Sequence, residues 1–292
     1  MNVTAMPDTH HTLPLEKGGQ IRLIHLAGSR RISPPVILAH GTLSNGGTVR
    51  SFGDFLSGNG HDTWILEWGG HGSTTAPGSR QNFEAPAFDD LPRALAFVRE
   101  TTAASQVFWV GHSGGGLLPL MHMARHPETQ AGFAGLVTLG AQATCAALTP
   151  KHRFRALGLY LLTQVMGRTP RLTEAMGDEG EPTMLLAQWA WWNLRGQWRG
   201  RGKIDYLAGL GQIKIPCLTL AGTGDDIAPV EGCQAIFDAL GSQDKTMIAC
   251  GNCHGFSKDF SHGALVRGTA AETQIFPKIA DWLAKRSNGT QK

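Results

Sequence analysis

The run Gly111-His112-Ser113-Gly114-Gly115 offers the clearest chemistry in this sequence. It follows the apolar run Val107-Phe108-Trp109-Val110 and precedes a helix-like segment, Leu117–Arg125. That is the strand, turn and helix that a G-x-S-x-G motif needs before it carries meaning. A serine on so sharp a turn sits in strained backbone, and flanking glycines remove the Cβ atoms that would collide. Its hydroxyl is presented over a helix amino terminus, which favours developing negative charge. Pro119 falls inside that helix and cannot donate its backbone hydrogen bond, so a local kink is expected there.

Serine is a weak nucleophile at its free pKa. It needs an imidazole to take its proton and a carboxylate to fix that imidazole's tautomer. Two aspartates, Asp225 and Asp226, follow the apolar run Cys217–Ala221, and two histidines, His254 and His262, lie beyond the last apolar run. His40 and His112 stand beside the other candidate groups and are read as hydrogen-bonding residues.

These groups must be held by a scaffold. Short apolar runs at Ile21–Leu26, Val36–Ala39, Trp64–Glu67, Val107–Val110, Leu136–Leu139, Cys217–Ala221 and Thr246–Ala249 read as strands alternating with helical segments. The alternation predicts an α/β fold with a mostly parallel sheet flanked by helices, whose ligands sit at the carboxyl ends of the strands. Ile275, Phe276, Ile279, Trp282 and Leu283 form one apolar helical stripe, and Val230, Cys233, Phe237 and Leu240 form another after Pro229.

From about Ala141 to Gln212 no strand is convincing, while Trp189, Trp191, Trp192 and Trp198 crowd together. The sequence is therefore divided into a core domain, residues 1–140 and 213–292, and a helical cap insertion, residues 141–212. The insertion's aromatic face would pack on the core, wall an apolar pocket, or do both.

Composition narrows the field further. The chain has 292 residues and 41% hydrophobic content, enough for one large domain carrying an insertion. Its formal charge of +3 is dispersed, so nucleic acid is not an expected partner. The amino terminus lacks the charged and apolar regions of a secretory signal. The longest apolar stretch, around Ala156–Met166, is shorter than the roughly 20 residues of a membrane span. Five irregularly spaced cysteines suit a reducing cytoplasm. The oligomeric state is left open.

The nucleophile motif, the strand Val36–Ala39 running into His40-Gly41-Thr42, and Glu67-Trp68-Gly69-Gly70-His71-Gly72-Ser73 together resemble the α/β-hydrolase fold family, in its serine esterase and lipase members. The resemblance implies that the backbone N–H groups of Thr42 and Gly114 form an oxyanion hole. Gly222-x-x-Asp225-x-x-x-Pro229 resembles the family's acid loop and selects Asp225, leaving Asp226 to cap the next helix or face solvent. The spacing from His262 to Pro277 and Trp282 is similar to members whose base precedes the final helix, and selects His262 over His254. The implied activity is hydrolysis of a small acyl ester or lipid-like substrate through Ser113, Asp225 and His262, with no metal or cofactor.

Other readings compete. Cys250-x-x-Cys253-His254 matches a c-type haem attachment signature and half of a zinc or redox site, without the surrounding context each needs. Asp225–Cys233 with Lys245 looks similar to polyhydroxyalkanoate-related members, which brings in acyl transfer to an acceptor other than water. A silent binding protein on the same fold is the non-enzymatic reading.

Overall fold

Eight strands form one sheet: β1 (Thr9–Pro14), β2 (Gln20–Leu26), β3 (Ile32–Ala39), β4 (His61–Glu67), β5 (Val107–His112), β6 (Phe133–Leu139), β7 (Cys217–Gly222) and β8 (Lys245–Cys250). Their spatial order is β1-β2-β4-β3-β5-β6-β7-β8. β2 pairs antiparallel with β1 and β4, and every later pair is parallel. The computed structural model describes residues 8–30, 32–75, 81–166, 169 and 179–287.

All residues of β4 and β5 are buried, as expected of central strands covered on both faces. Each of the seven expected strands is present. The eighth, β1, lies at the edge with Leu13 as its one buried residue, so its sequence carries no apolar alternation and only its ladder to β2 defines it. β3 starts at Ile32 rather than Val36. Pro34 and Pro35 donate no ladder bonds, and the register to β4 shifts across them.

Nine helices surround the sheet: α1 (Arg50–Gly58), α2 (Leu91–Thr102), α3 (Gly114–Arg125), α4 (Pro150–Thr163), α5 (Thr183–Arg195), α6 (Tyr206–Gly209), α7 (Val230–Ala239), α8 (Thr269–Gln274) and α9 (Phe276–Ser287), counted among the described residues. Two apolar layers result. On one face Phe52 and Leu56 of α1 pack with Ile279, Trp282 and Leu283 of α9; on the other, α2 and α3 pack with Trp192, Trp198 and Tyr206. The expected α9 stripe is buried throughout. The α7 stripe is rotated from expectation: Cys233 and Leu240 are buried, but Ile236 takes the inward place and Phe237 is half-buried under the Lys245 ammonium, 4.8 Å from its ring.

Residues 141–212 contribute α4, α5 and α6, and the one bridge among their described residues joins Arg199 and Asp205. Its tryptophans divide. Trp192 and Trp198 are buried, Trp189 is half-buried, and Trp191 is exposed. Among the described residues no helix is long and apolar enough to cross a membrane.

Candidate active site

Ser113 alone makes the turn between β5 and α3. Its φ of 53° and ψ of −123° lie where L-residues are strained. The turn is pinned on both sides, because the Ser113 N–H donates to the Leu139 carbonyl at 2.8 Å and the Ser113 carbonyl accepts from Gly116 N–H at 3.0 Å. Glycine is required at both flanks: a Cβ on Gly111 would lie 2.3 Å from the Gly115 carbonyl oxygen, and one on Gly115 would lie 2.3 Å from that of His40.

The helix is continuous across Pro119. The missing proline N–H would orphan the Gly115 carbonyl one turn back. The Trp109 indole N–H supplies the replacement, donating to that carbonyl at 2.9 Å.

Asp225 and His262 arrive from the loops after β7 and β8. His262 Nδ1 lies 2.7 Å from Asp225 Oδ2. The other oxygen, Oδ1, accepts the N–H groups of Ile227 at 2.8 Å and Ala228 at 2.7 Å. Burial alone would push the Asp225 pKa up, but the hydrogen bond and charge of His262 and the two N–H donors outweigh it, and the carboxyl is held below its usual range. Asp225 itself therefore holds the turn into α7, while Asp226 is exposed at the cavity wall and not a helix cap. Gly140, at φ +57°, passes behind the pair, where a Cβ would lie 3.1 Å from Asp225 Oδ2 and 3.2 Å from His262 Nδ1.

His112 steadies this arrangement from below. Its Nε2–H donates to the His262 backbone carbonyl at 3.0 Å, since a carbonyl can only accept. Burial, reinforced by the charge of His262, lowers the His112 pKa to about 3, so the ring is neutral. His254 is exposed in the short turn Asn252–His254, away from the cavity wall. Of its neighbouring thiols, Cys250 is buried, which pushes its pKa up to about 12, and Cys253 is exposed.

The loop after β3 brings Thr42 against the start of α3, so that a Cβ on Gly114 would lie 3.0 Å from Thr42 Cγ2. His40 Nδ1–H donates to the Gly41 carbonyl at 2.8 Å, and burial holds this ring's pKa well below its ordinary value. Leu43 has φ of 58°, and both its peptide groups are tied to the 179–181 segment. Leu43 N–H donates to Glu181 Oε2 at 2.6 Å, and Glu179 N–H donates to the Leu43 carbonyl at 3.1 Å. His71 Nε2–H donates to the same Glu181 oxygen at 2.9 Å. Sequence reading missed Glu181, and no local signal marks it: its partner is 138 residues away.

Ser113, His262, Thr42 and Gly114 all line one cavity of about 430 Å³, with Asp225 behind His262. Its far wall comes from residues 141–212, among them Ala146, Leu159, Leu186 and Trp189. A hydroxyl on a strained turn and an imidazole held by a buried carboxylate, lining the same space, suit acyl transfer. Among the described residues no cluster of His, Cys, Asp and Glu has a metal-binding arrangement.

A sequence-family model described as the alpha/beta hydrolase fold matches residues 34–168. Among curated proteins no sequence match is found. Many solved structures are similar. A monoacylglycerol lipase from Paleococcus ferrophilus shares 19% identity over 96% of this chain and 100% of its own, with a TM-score of 0.65. A thermophilic esterase from Thermogutta terrifontis shares 16% over 97% and 100%, with a TM-score of 0.66. An esterase from Exiguobacterium antarcticum shares 15% over 95% and 98%, also at 0.66.

Proposed function

Because the chain has the α/β-hydrolase fold, we propose that it is a serine hydrolase cleaving an ester or related acyl bond of a small, mostly apolar substrate. The observation that carries this reading is the 2.7 Å Asp225–His262 pair opening onto the same cavity as Ser113. The fold's similarity to esterases and a monoacylglycerol lipase supports it.

In the first step Ser113 Oγ attacks the acyl carbon while His262 Nε2, the nitrogen not engaged by Asp225, takes the hydroxyl proton. The carbonyl oxygen becomes an oxyanion, bound by the Thr42 and Gly114 N–H groups; each such donor is worth about 3–4 kcal/mol of barrier. His262 then gives its proton to the leaving alkoxide oxygen, and the C–O bond breaks to leave an acyl-Ser113 ester. Water, deprotonated by His262, attacks that ester; His262 then returns the proton to Ser113 Oγ as the acyl C–Oγ bond breaks, and the acid is released. Asp225 keeps the Nδ1 proton in place throughout.

Residues 141–212 act in this reading as the cap, and their apolar residues at the cavity set the preference for apolar acyl or alcohol groups. Hydrolysis of p-nitrophenyl esters of increasing acyl length, beside succinyl esters of matched length, tests the proposal. Higher kcat/KM for neutral short and medium chains is expected. A clear preference for the charged acyl group would overturn the substrate assignment.

A further inference from the structure

Helix α4 buries only Ala156 and Thr163 of its own residues. Its outward side is apolar instead of polar: Phe154 is 77% exposed, Leu161 57% and Leu157 44%. These residues recur at three- and four-residue steps and make one continuous ridge. Leu162 stands beside it, and Val165, just past the helix, is 82% exposed. Exposed apolar groups scattered singly need no explanation, but a ridge of them along one helix does.

The charges on α4 are arranged around that ridge. At 3.6 residues per turn, Lys151 falls on one flank and Arg153 on the other, both exposed, while Arg155 lies further round, where it lines the cavity. No Asp or Glu occurs in the sequence from Thr129 to Thr173. On the side of Tyr160, its ring meets that of Trp191 at 5.4 Å, and the Arg195 guanidinium lies 4.6 Å over the Trp191 ring. An apolar ridge between cationic flanks is the pattern of a helix lying in a lipid interface, with apolar side chains among the acyl chains and cationic heads reaching back to the headgroups.

We propose that the α4 face docks on an anionic lipid surface. A second copy of this chain is a poor occupant, because a two-fold contact through α4 would set its cationic flanks against their own copies. Anionic headgroups complement those flanks, and the ridge complements the layer beneath them. The inward side of the same helix, through His152, Arg155, Ala156 and Leu159, lines the cavity that Ser113 faces. Docking would therefore place that cavity one helix thickness from the lipid, which goes beyond the proposed ester chemistry by naming where a substrate comes from.

Vesicle flotation tests the inference without requiring turnover, so its outcome is separate from that of the hydrolase reading. The full chain is mixed with phosphatidylcholine vesicles, with and without phosphatidylglycerol. Binding to the anionic vesicles alone, weakening as sodium chloride is raised, is expected. The pair Lys151→Gln and Arg153→Gln should weaken binding roughly thirtyfold. The pair Phe154→Ser and Leu161→Ser should weaken it at least about tenfold. None of these four residues touches the cavity, so circular dichroism and turnover of a soluble short-chain ester should stay at wild-type values. Absence of wild-type binding to anionic vesicles would overturn the proposal. So would a wild-type dimer in analytical ultracentrifugation that Phe154→Ser and Leu161→Ser converts to monomer, or retention on polyglutamate without vesicle binding.

Discussion

Glu181, fully buried, accepts the backbone N–H of Leu43 at 2.6 Å, and so holds the residue next to Thr42 in a left-handed conformation that leucine seldom adopts. A carboxylate from the 141–212 segment thereby fixes the loop that carries one of the two proposed oxyanion donors. His71 shares the same oxygen and fixes its direction.

Removing that carboxylate should loosen the Thr42 N–H without touching substrate. For Glu181→Ala we expect kcat to fall about ten- to a hundredfold with KM changed little, less than the loss of a whole oxyanion donor. Glu181→Gln, which keeps an acceptor for Leu43, should fall between Ala and wild type. Steady-state kinetics on one soluble ester checks both; a change confined to KM would show that the contact serves binding instead.

Asp225→Asn should lower kcat about a thousandfold or more, because with its oxygen held by the Ile227 and Ala228 N–H groups the amide turns its NH2 to His262, donates to Nδ1 and favours the other tautomer. The fold should survive, since the amide oxygen can still accept Ile227 and Ala228. Near-wild-type kcat in this variant would assign the acid role elsewhere, with Asp226 the first alternative.

Trp109→Phe removes the donor that completes the carbonyl orphaned by Pro119, and should cost about 1–3 kcal/mol. Adding Pro119→Ala restores a backbone N–H at that place and should recover part of the loss. Urea denaturation of the single and double variants reads this directly. Additive destabilisation would mean that the indole and the proline are uncoupled.

Asp90 gives a pH signature. Burial and the charge of Asp89 raise its pKa from 3.8 to about 6, against the favourable Gly69 N–H, which donates at 2.7 Å, and the charge of His71. The folded chain thus holds a proton that the unfolded chain has released between pH 3.8 and about 6. Stability from this group falls as pH rises through that window and stays low above it. Asp90→Asn should flatten the slope there. Above it the variant avoids an ionisation cost on the order of 3 kcal/mol, offset by whatever its amide leaves unpaired. Melts at several pH values test this; an unchanged slope would contradict it.

Much of this was legible in the sequence because it is local. The G-x-S-x-G turn, the α9 stripe and the central strands are each written within about a dozen residues. His262 and Asp225 were chosen by resemblance, and the structure sets them 2.7 Å apart on two neighbouring loops. What escaped depends on distant partners or on the absence of a side-chain pattern. β1 is defined by its ladder with β2, and Glu181 by a backbone N–H far away in the chain. The donor that completes the carbonyl left open by Pro119 is equally invisible locally, for it is the Trp109 indole on the preceding strand. Of the two places the spacing leaves for Asp226, helix cap or solvent, the structure shows solvent, because Asp225 already accepts the N–H groups at the turn into α7.

The most direct measurement is labelling with a fluorophosphonate probe, with the modified residue located by peptide mass spectrometry. Stoichiometric label on Ser113 is expected in wild type and in His254→Ala. Labelling should be lost in Ser113→Ala and slowed at least about a hundredfold in His262→Ala. Label on another residue, or a Ser113 that reacts equally fast without His262, would contradict the account.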